Sequence, residues 1–222
     1  MNIDLSATGK KYWGRVGWGM IHTMASICDA SDRPVMYTKW VTLMASLLPC
    51  ADCRNHFTVL LTEHPLSDTP KSAHRCLDWS YMLHRQVNDR LEKPSPYLSS
   101  VRSFYRASRV SNQVFLRPLL KHWIEAMTHV YVPSMGTAIV EWFALTLLIL
   151  PESKFQQRLN RFLDTYDIKY YLSNSYDLFY FTYIMHVYIS RSLDMMSDKE
   201  GIHQARSRLN HIYGITCKGC QK

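Results

Sequence analysis

The stretch Leu47-Leu48-Pro49-Cys50-Ala51-Asp52-Cys53-Arg54-Asn55-His56-Phe57 governs how the rest of the chain is understood. Its proline suits entry to a helix, because a first turn has no use for the missing N–H and the fixed φ is already helical. Cys50 then falls at or near the helix N-terminus and Cys53 one turn inside, on the same face. Two sulfurs so placed can bond, and the positive end of the helix dipole favours a thiolate. Such a dithiol is redox machinery or half of a zinc site, and the pair by itself leaves both open.

Working outward, the flanking segments carry helical periodicity. Residues 8 to 28 form a first helix in which Trp18, His22 and Ser26 follow one another at intervals of four, beside Gly17, Ile21 and Ala25. A loop with Asp32 and Pro34 leads to a second helix from Tyr37 to Leu48, with Trp40, Leu43, Met44, Leu47 and Leu48 on its buried side. The dithiol helix runs from Cys50 to about Glu63 and closes at His64-Pro65. Ser72 to Leu91 is a fourth helix, stopped by Lys93-Pro94-Ser95-Pro96. Four helices of these lengths with short connections predict a four-helix bundle.

The bulk properties are those of a globular protein. In 222 residues, 47% are hydrophobic and 20% charged, and only 8 glycines and 9 prolines are present, so hairpins are few. The formal charge of +8 is scattered along the chain, which favours a solvated basic surface over a nucleic-acid interface. Met1 to Leu5 has neither a basic nor an apolar signal region. The longest apolar run, Trp142 to Leu150, falls well short of the roughly 20 residues that span a bilayer. Without a signal, six cysteines would ordinarily be thiols or metal ligands. Four of them nevertheless form two Cys-x-x-Cys pairs, Cys50 with Cys53 and Cys217 with Cys220.

Three segments together carry a family likeness. Trp13-Gly14-Arg15-Val16-Gly17-Trp18-Gly19-Met20-Ile21-His22 resembles the Trp-Gly-x-x-x-Trp-x-x-x-His helix of the Erv/ALR flavin-linked sulfhydryl oxidases. Cys50 to Phe57 resembles their Cys-x-x-Cys-x-x-His-Phe. Trp79 to Pro94 is similar to their His-Asn-x-Val-Asn-x-x-Leu-Gly-Lys-Pro segment. The departures are Arg85 for Asn and Glu92 for Gly. The structural disulfide of many members is also missing, since no cysteine lies near 64 or 97. Cys28 and Cys76 are left either to make a different staple or to stay buried as thiols.

The resemblance implies FAD as cofactor and a catalytic pair Cys50 and Cys53, with Cys50 exchanging with substrate and Cys53 lying against the flavin. It also implies a flavin site built from Gly14, Arg15, Trp18, His22, Cys53, Trp79, His84, Val87, Asn88, Leu91 and Lys93. The histidines would face the adenine or phosphate end, Arg15 and Lys93 the phosphates. The activity it implies is oxidation of dithiols in protein substrates (thioredoxin-like or virion proteins), with electrons passing to oxygen and giving hydrogen peroxide. The non-enzymatic alternative is a helical zinc-binding or basic nucleic-acid-binding scaffold, which would not need the tryptophan–histidine helix. A thioredoxin-like enzyme would need βαβ periodicity, which the chain lacks. No metal, nucleic acid or membrane partner is expected.

The second half reads as a degenerate repeat of the first, against the alternative that any two amphipathic helical segments align passably. Trp40 and Trp142, Pro49 and Pro151, Tyr81 and Tyr183, His84 and His186, and Leu91 and Leu193 each lie 102 positions apart. Trp123 answers Trp18 if the loop that follows is shorter. In this register Glu152 and Phe155 stand for Cys50 and Cys53, Met127 for His22 and Ser190 for Asn88. Residues of helical core spacing recur and the redox residues do not.

The expected organisation is therefore all-α. Residues 1–97 are a four-helix bundle of the Erv/ALR type, 98–200 a degenerate helical unit that binds no flavin, and 201–222 a tail. Quiescin-type oxidases similarly join an active and a degenerate unit. Family members pair as dimers through two helices, so this chain is either a homodimer or an intramolecular pseudo-dimer. By the same resemblance the tail pair, Cys217 and Cys220, is a shuttle disulfide, against an idle dithiol or a zinc site shared with Cys50 and Cys53. Oxidases of this kind in large DNA viruses imply the cytoplasm of an infected cell or the virion, with the mitochondrial intermembrane space as the alternative.

Overall fold

The computed structural model describes residues 9–107, 112–192, 201, 203–207 and 210. The expected shuttle pair, Cys217 and Cys220, lies outside the described residues, as does Leu193 of the repeat. Among the described residues every regular element is helical: α1 (Gly9–Ser31), α2 (Pro34–Ser46), α3 (Ala51–Glu63), α4 (Arg75–Arg90), α5 (Leu98–Ala107), α6 (Asn112–Val130), α7 (Gly136–Ile149), α8 (Lys154–Thr165) and α9 (Ser175–Ser192). Short 3-10 turns at Leu66–Asp68, Pro133–Met135 and Ile168–Tyr171 join them. None of these helices is long and apolar enough to cross a membrane.

Helix boundaries follow local chemistry. Pro34 opens α2 at its first turn. The ends of α1 and α4 turn through left-handed residues, Asp32 (φ 51°) and Glu92 (φ 53°). At α4 the amide of Glu92 donates to the Asp89 carbonyl at 3.1 Å and that of Lys93 to Asn88 at 2.9 Å. These two bonds are the Schellman pattern, which takes up carbonyls the helix cannot use itself. Glycine is the usual residue there; this chain places Glu92 in it. At its other end α4 is capped from a distance, because the Asp29 carboxylate accepts from the amides of Cys76 (2.7 Å) and Leu77 (3.0 Å). That carboxylate also suits the positive end of the helix.

The first four helices pack as a bundle in which α1 lies against α4 and α2 against α1, α3 and α4. In the second half α6 lies against α9 and α8 against both α7 and α9. The halves then meet like on like, with α1 against α6 and α2 against α7. One apolar cluster runs through both halves, and Trp40, Trp79, Trp123 and Trp142 are among its fully buried side chains. An indole removes about 200 Å² from water, on the order of 5 kcal/mol at about 25 cal/mol per Å². At the seam the Trp40 and Trp142 rings lie 5.5 Å apart, and Trp40 Nε1–H donates to Thr146 Oγ1 at 2.8 Å. Gly17 permits close approach there: a Cβ on it would sit 3.2 Å from the Trp123 ring.

Two details depart from the sequence register. The N-cap of α8 is Ser153, whose hydroxyl accepts from the Gln156 amide at 3.1 Å. The N-cap of α3 is Cys50. By cap geometry Ser153 and Gln156, not Glu152 and Phe155, therefore answer Cys50 and Cys53; the shift is one residue between Pro151 and the cap. Further, α5 packs on α1 and α4. The first helical unit thus carries a fifth helix beyond residue 97.

Candidate active site

Cys50 ends an extended segment (φ −131°, ψ 120°), and its Sγ accepts from the Cys53 amide at 3.4 Å, so the sulfur itself caps α3. Both cysteines are thiols here, Cys50 buried (3% exposed) and Cys53 half-buried. Arg54 reaches back to the Leu48 carbonyl at 2.6 Å and fixes the bend that delivers Cys50. His56 is exposed on the outer side of the helix. Phe57, one turn past Cys53, is buried and meets the Trp18 ring edge-on at 5.5 Å.

Trp18 in turn lies flat on His84, with centroids 4.1 Å apart and planes 6° from parallel, and stacks on His22 at 5.7 Å. The histidines are bonded to each other, His22 Nε2 to His84 Nδ1 at 3.0 Å. Here the hydrogen-bond network assigns the tautomers. Ser80 gives its hydroxyl proton to the Leu77 carbonyl (2.9 Å), so it accepts from His22 Nδ1–H (2.8 Å). Burial, aided by His84, pushes His22 down to about 3, and burial, aided by Lys93, pushes His84 down to about 4. Both rings are neutral at neutral pH. His22 Nε2 is then bare and accepts from His84 Nδ1–H, which leaves a lone pair on His84 Nε2.

Beside these rings is a pocket between α1, α4 and α5. Its α1 and α4 walls are His22, Tyr81, His84, Arg85 and Asn88, and its far side is Ser95, Pro96, Val101 and Tyr105. Asn88 Nδ2 donates to Ser95 Oγ at 3.1 Å, and Tyr81 Oη donates to the Pro96 carbonyl at 2.8 Å. Arg85 pairs with Asp89 at 3.7 Å on the exposed rim.

Of the eleven positions expected to meet a flavin, the fold brings His22, His84 and Asn88 to this pocket, with Trp18 stacked behind them and Cys53 one turn before Phe57 on α3. Arg15, Leu91 and Lys93 are exposed, and Gly14 and Val87 are half-buried. Trp79 is placed elsewhere: it is buried against Tyr37, and its Nε1–H donates to the His64 carbonyl at 2.7 Å, tying α4 to the end of α3. Cys28 and Cys76 are buried thiols near the Asp29 cap, and burial raises both, Cys28 to about 12. Cys217 and Cys220, the expected shuttle pair, lie outside the described residues. Among the described residues no group of three or more His, Cys, Asp or Glu is placed to hold a metal ion. Sequence reasoning missed Tyr81, Ser95, Pro96, Val101 and Tyr105. The signal available was the apolar stripe of Val101, Phe104 and Tyr105 just past the assumed boundary.

Residues 15–109 match the sequence pattern of the Erv1/Alr family. The FAD-linked sulfhydryl oxidase of African swine fever virus is 30% identical over 102 residues, 44% of this chain and 82% of the viral protein. The chain belongs to the Erv1/Alr family. Other members it resembles are the FAD-linked sulfhydryl oxidase ERV2 of Saccharomyces cerevisiae, 30% identical over 87 residues, and a putative FAD-linked sulfhydryl oxidase of Invertebrate iridescent virus 3, 28% identical over 111 residues. The yeast match spans 38% of this chain and 43% of the yeast protein, and the iridescent virus match 48% and 70%. No solved structure matches the chain. The Erv1/Alr match covers α1 to α5, which are the helices that hold the dithiol, the stacked rings and the pocket.

Proposed function

We propose that this chain is an FAD-dependent thiol oxidase that forms disulfide bonds in protein substrates. The observation that carries the reading is the continuous run from the Cys50 cap and Cys53 through Phe57 and Trp18 to the neutral histidine pair and its pocket. The donor set fits a flavin nucleotide. Among the pocket walls Tyr81 and Tyr105 offer aromatic rings, Asn88 an amide, and His84 an acceptor for an amino or hydroxyl group rather than a cation for a phosphate. The phosphates fall to Arg15, Lys93 and Arg85.

In the oxidised enzyme a substrate thiolate attacks Cys50 Sγ, and Cys53 departs as a thiolate. The second substrate thiol then displaces Cys50, so the substrate leaves as a disulfide and the enzyme pair is left reduced. Helix α3 aids this exchange by aiming its free N–H groups at the sulfur that caps it. FAD, when bound, takes two electrons from the reduced pair and passes them to oxygen, giving hydrogen peroxide.

The purified protein is expected to be yellow and to consume oxygen on addition of a dithiol, and Cys53→Ser to abolish the uptake. A colourless protein that takes up neither FAD nor oxygen would sink the assignment. The tail pair, Cys217 and Cys220, is proposed as a shuttle: its double serine variant keeps uptake with a small dithiol and slows it with a protein substrate. With α6 and α7 laid on α1 and α2, the second half supports an intramolecular pseudo-dimer, and sedimentation should return one chain. Viral relatives support an infected-cell setting, in the cytoplasm or the virion.

A further inference from the structure

We propose that the Asp78–Arg102 pair is a positioning element for the cofactor, holding α5 in place as the outer wall of the pocket. The inference rests on the flavin-nucleotide reading of that pocket. Helix α5 carries two of the pocket's walls, Val101 and Tyr105, and the connection before it carries Ser95 and Pro96. The Tyr105 ring faces His22 at 5.5 Å across the site, tilted by 55°. Where α5 sits therefore sets the width of the pocket opposite the histidines.

Both apolar packing and a polar tie hold α5 there. It has ten residues, and its packed apolar side chains are Val101, Phe104 and Tyr105. Tyr97, just before it, is 83% exposed. So short a helix is marginal unless tertiary contacts fix it. A fork of two short bonds ties it to α4: Arg102 Nε donates to Asp78 Oδ1 at 2.8 Å and Nη2 to Oδ2 at 2.7 Å. Asp78 lies in the first turn of α4 and is only 17% exposed, so its carboxylate is pre-set by the helix. The planar guanidinium matches it in two parallel bonds, which fixes direction as well as distance. The serine bond to α5, Ser26 Oγ to the Tyr105 carbonyl, is longer at 3.3 Å. Arg106 adds a contact from the last turn to His74 at 3.1 Å. An isolated surface ion pair contributes little to global stability. This one acts on a single helix, and that helix is a wall.

The test uses the full-length protein and reads FAD retention. In Arg102→Leu and Asp78→Asn, undocking of α5 lowers the fraction of molecules with a formed pocket, and FAD affinity falls by about tenfold, as apparent affinity scales with that fraction. Affinity and release rate are followed by the recovery of flavin fluorescence, at a temperature where circular dichroism shows both variants folded. The swapped pair Asp78→Arg/Arg102→Asp recovers part of the loss. Arg102→Lys, which keeps the charge without the fork, lies between, and it decides the matter if the leucine variant does not fold. Retention equal to wild type in Arg102→Lys together with either neutralised variant overturns the proposal while leaving the flavin reading intact. A wild-type protein that binds no FAD overturns both.

Discussion

The histidine pair is where the chemistry of single residues is most exposed to test. In the folded chain His22 and His84 titrate near 3 and 4, against 6.5 for the free side chain. Between pH 6.5 and those values the unfolded chain therefore binds protons that the folded chain refuses. Stability from this pair is whole above about pH 6.5 and is lost as pH falls through the window. Thermal unfolding of the flavin-free protein should show a midpoint that drops between pH 7 and 5. The double variant His22→Gln/His84→Gln should flatten that slope, and an unchanged slope would place the proton uptake elsewhere. The sequence put both histidines at the cofactor but left them undecided between adenine and phosphate. Their charge state depends on burial and their tautomers on Ser80 and Leu77, none of which a motif records.

At the scale of the element, the end of α4 shows how a departure from the family pattern costs stability without changing the path of the chain. Glu92 occupies a left-handed residue at φ 53° and still completes both Schellman bonds. A side chain there costs about 1 to 2 kcal/mol that glycine avoids, less the extra entropy glycine loses on folding. Glu92→Gly is expected to stabilise the protein by roughly 1 kcal/mol, read as a higher urea midpoint with an unchanged m-value. Asp32→Gly at the end of α1 should gain less, because aspartate tolerates this region better. A lower midpoint in Glu92→Gly would mean that the carboxylate has a role of its own. The four helices of the first half were legible from periodicity, proline stops and the dithiol spacing. Helix α5 was not, since Pro94 and Pro96 read as the end of a unit. What ties it back is a fork between Asp78 and Arg102, residues 24 positions apart. For Trp79 the motif spoke for the cofactor, and what it does not record is the indole N–H bond to the His64 carbonyl.

For the molecule as a whole, the question is how two similar halves behave as one. The sequence offset suggests two like halves, but a periodic core cannot say which faces meet, and the cap of α8, Ser153, lies one residue out of that register from the cap of α3, Cys50. The fold answers by packing α1 on α6 and α2 on α7, as in an isologous interface where position i meets j and j meets i. With Trp40 and Trp142 buried in one continuous cluster, a single unfolding transition is expected rather than two. The pseudo-symmetry breaks at one hydrogen bond. Trp40 donates to Thr146, 4 residues after Trp142; the position 4 residues after Trp40 is Met44, a thioether. Accordingly Trp142 Nε1 is buried with no hydrogen-bond partner. Thr146→Val keeps the shape of the seam and removes the acceptor, which should cost about 1 to 3 kcal/mol by stranding the Trp40 N–H. In a Trp40→Phe background the same change should cost much less, because no donor is left to strand. The difference between the two is the coupling across the seam, and chemical denaturation of the four proteins in the cycle measures it. Equal costs in both backgrounds would show that the Trp40–Thr146 bond does not help hold the halves together, leaving that work to the packed rings and to other bonds across the seam, such as Tyr12 Oη with His122 Nδ1 at 2.7 Å.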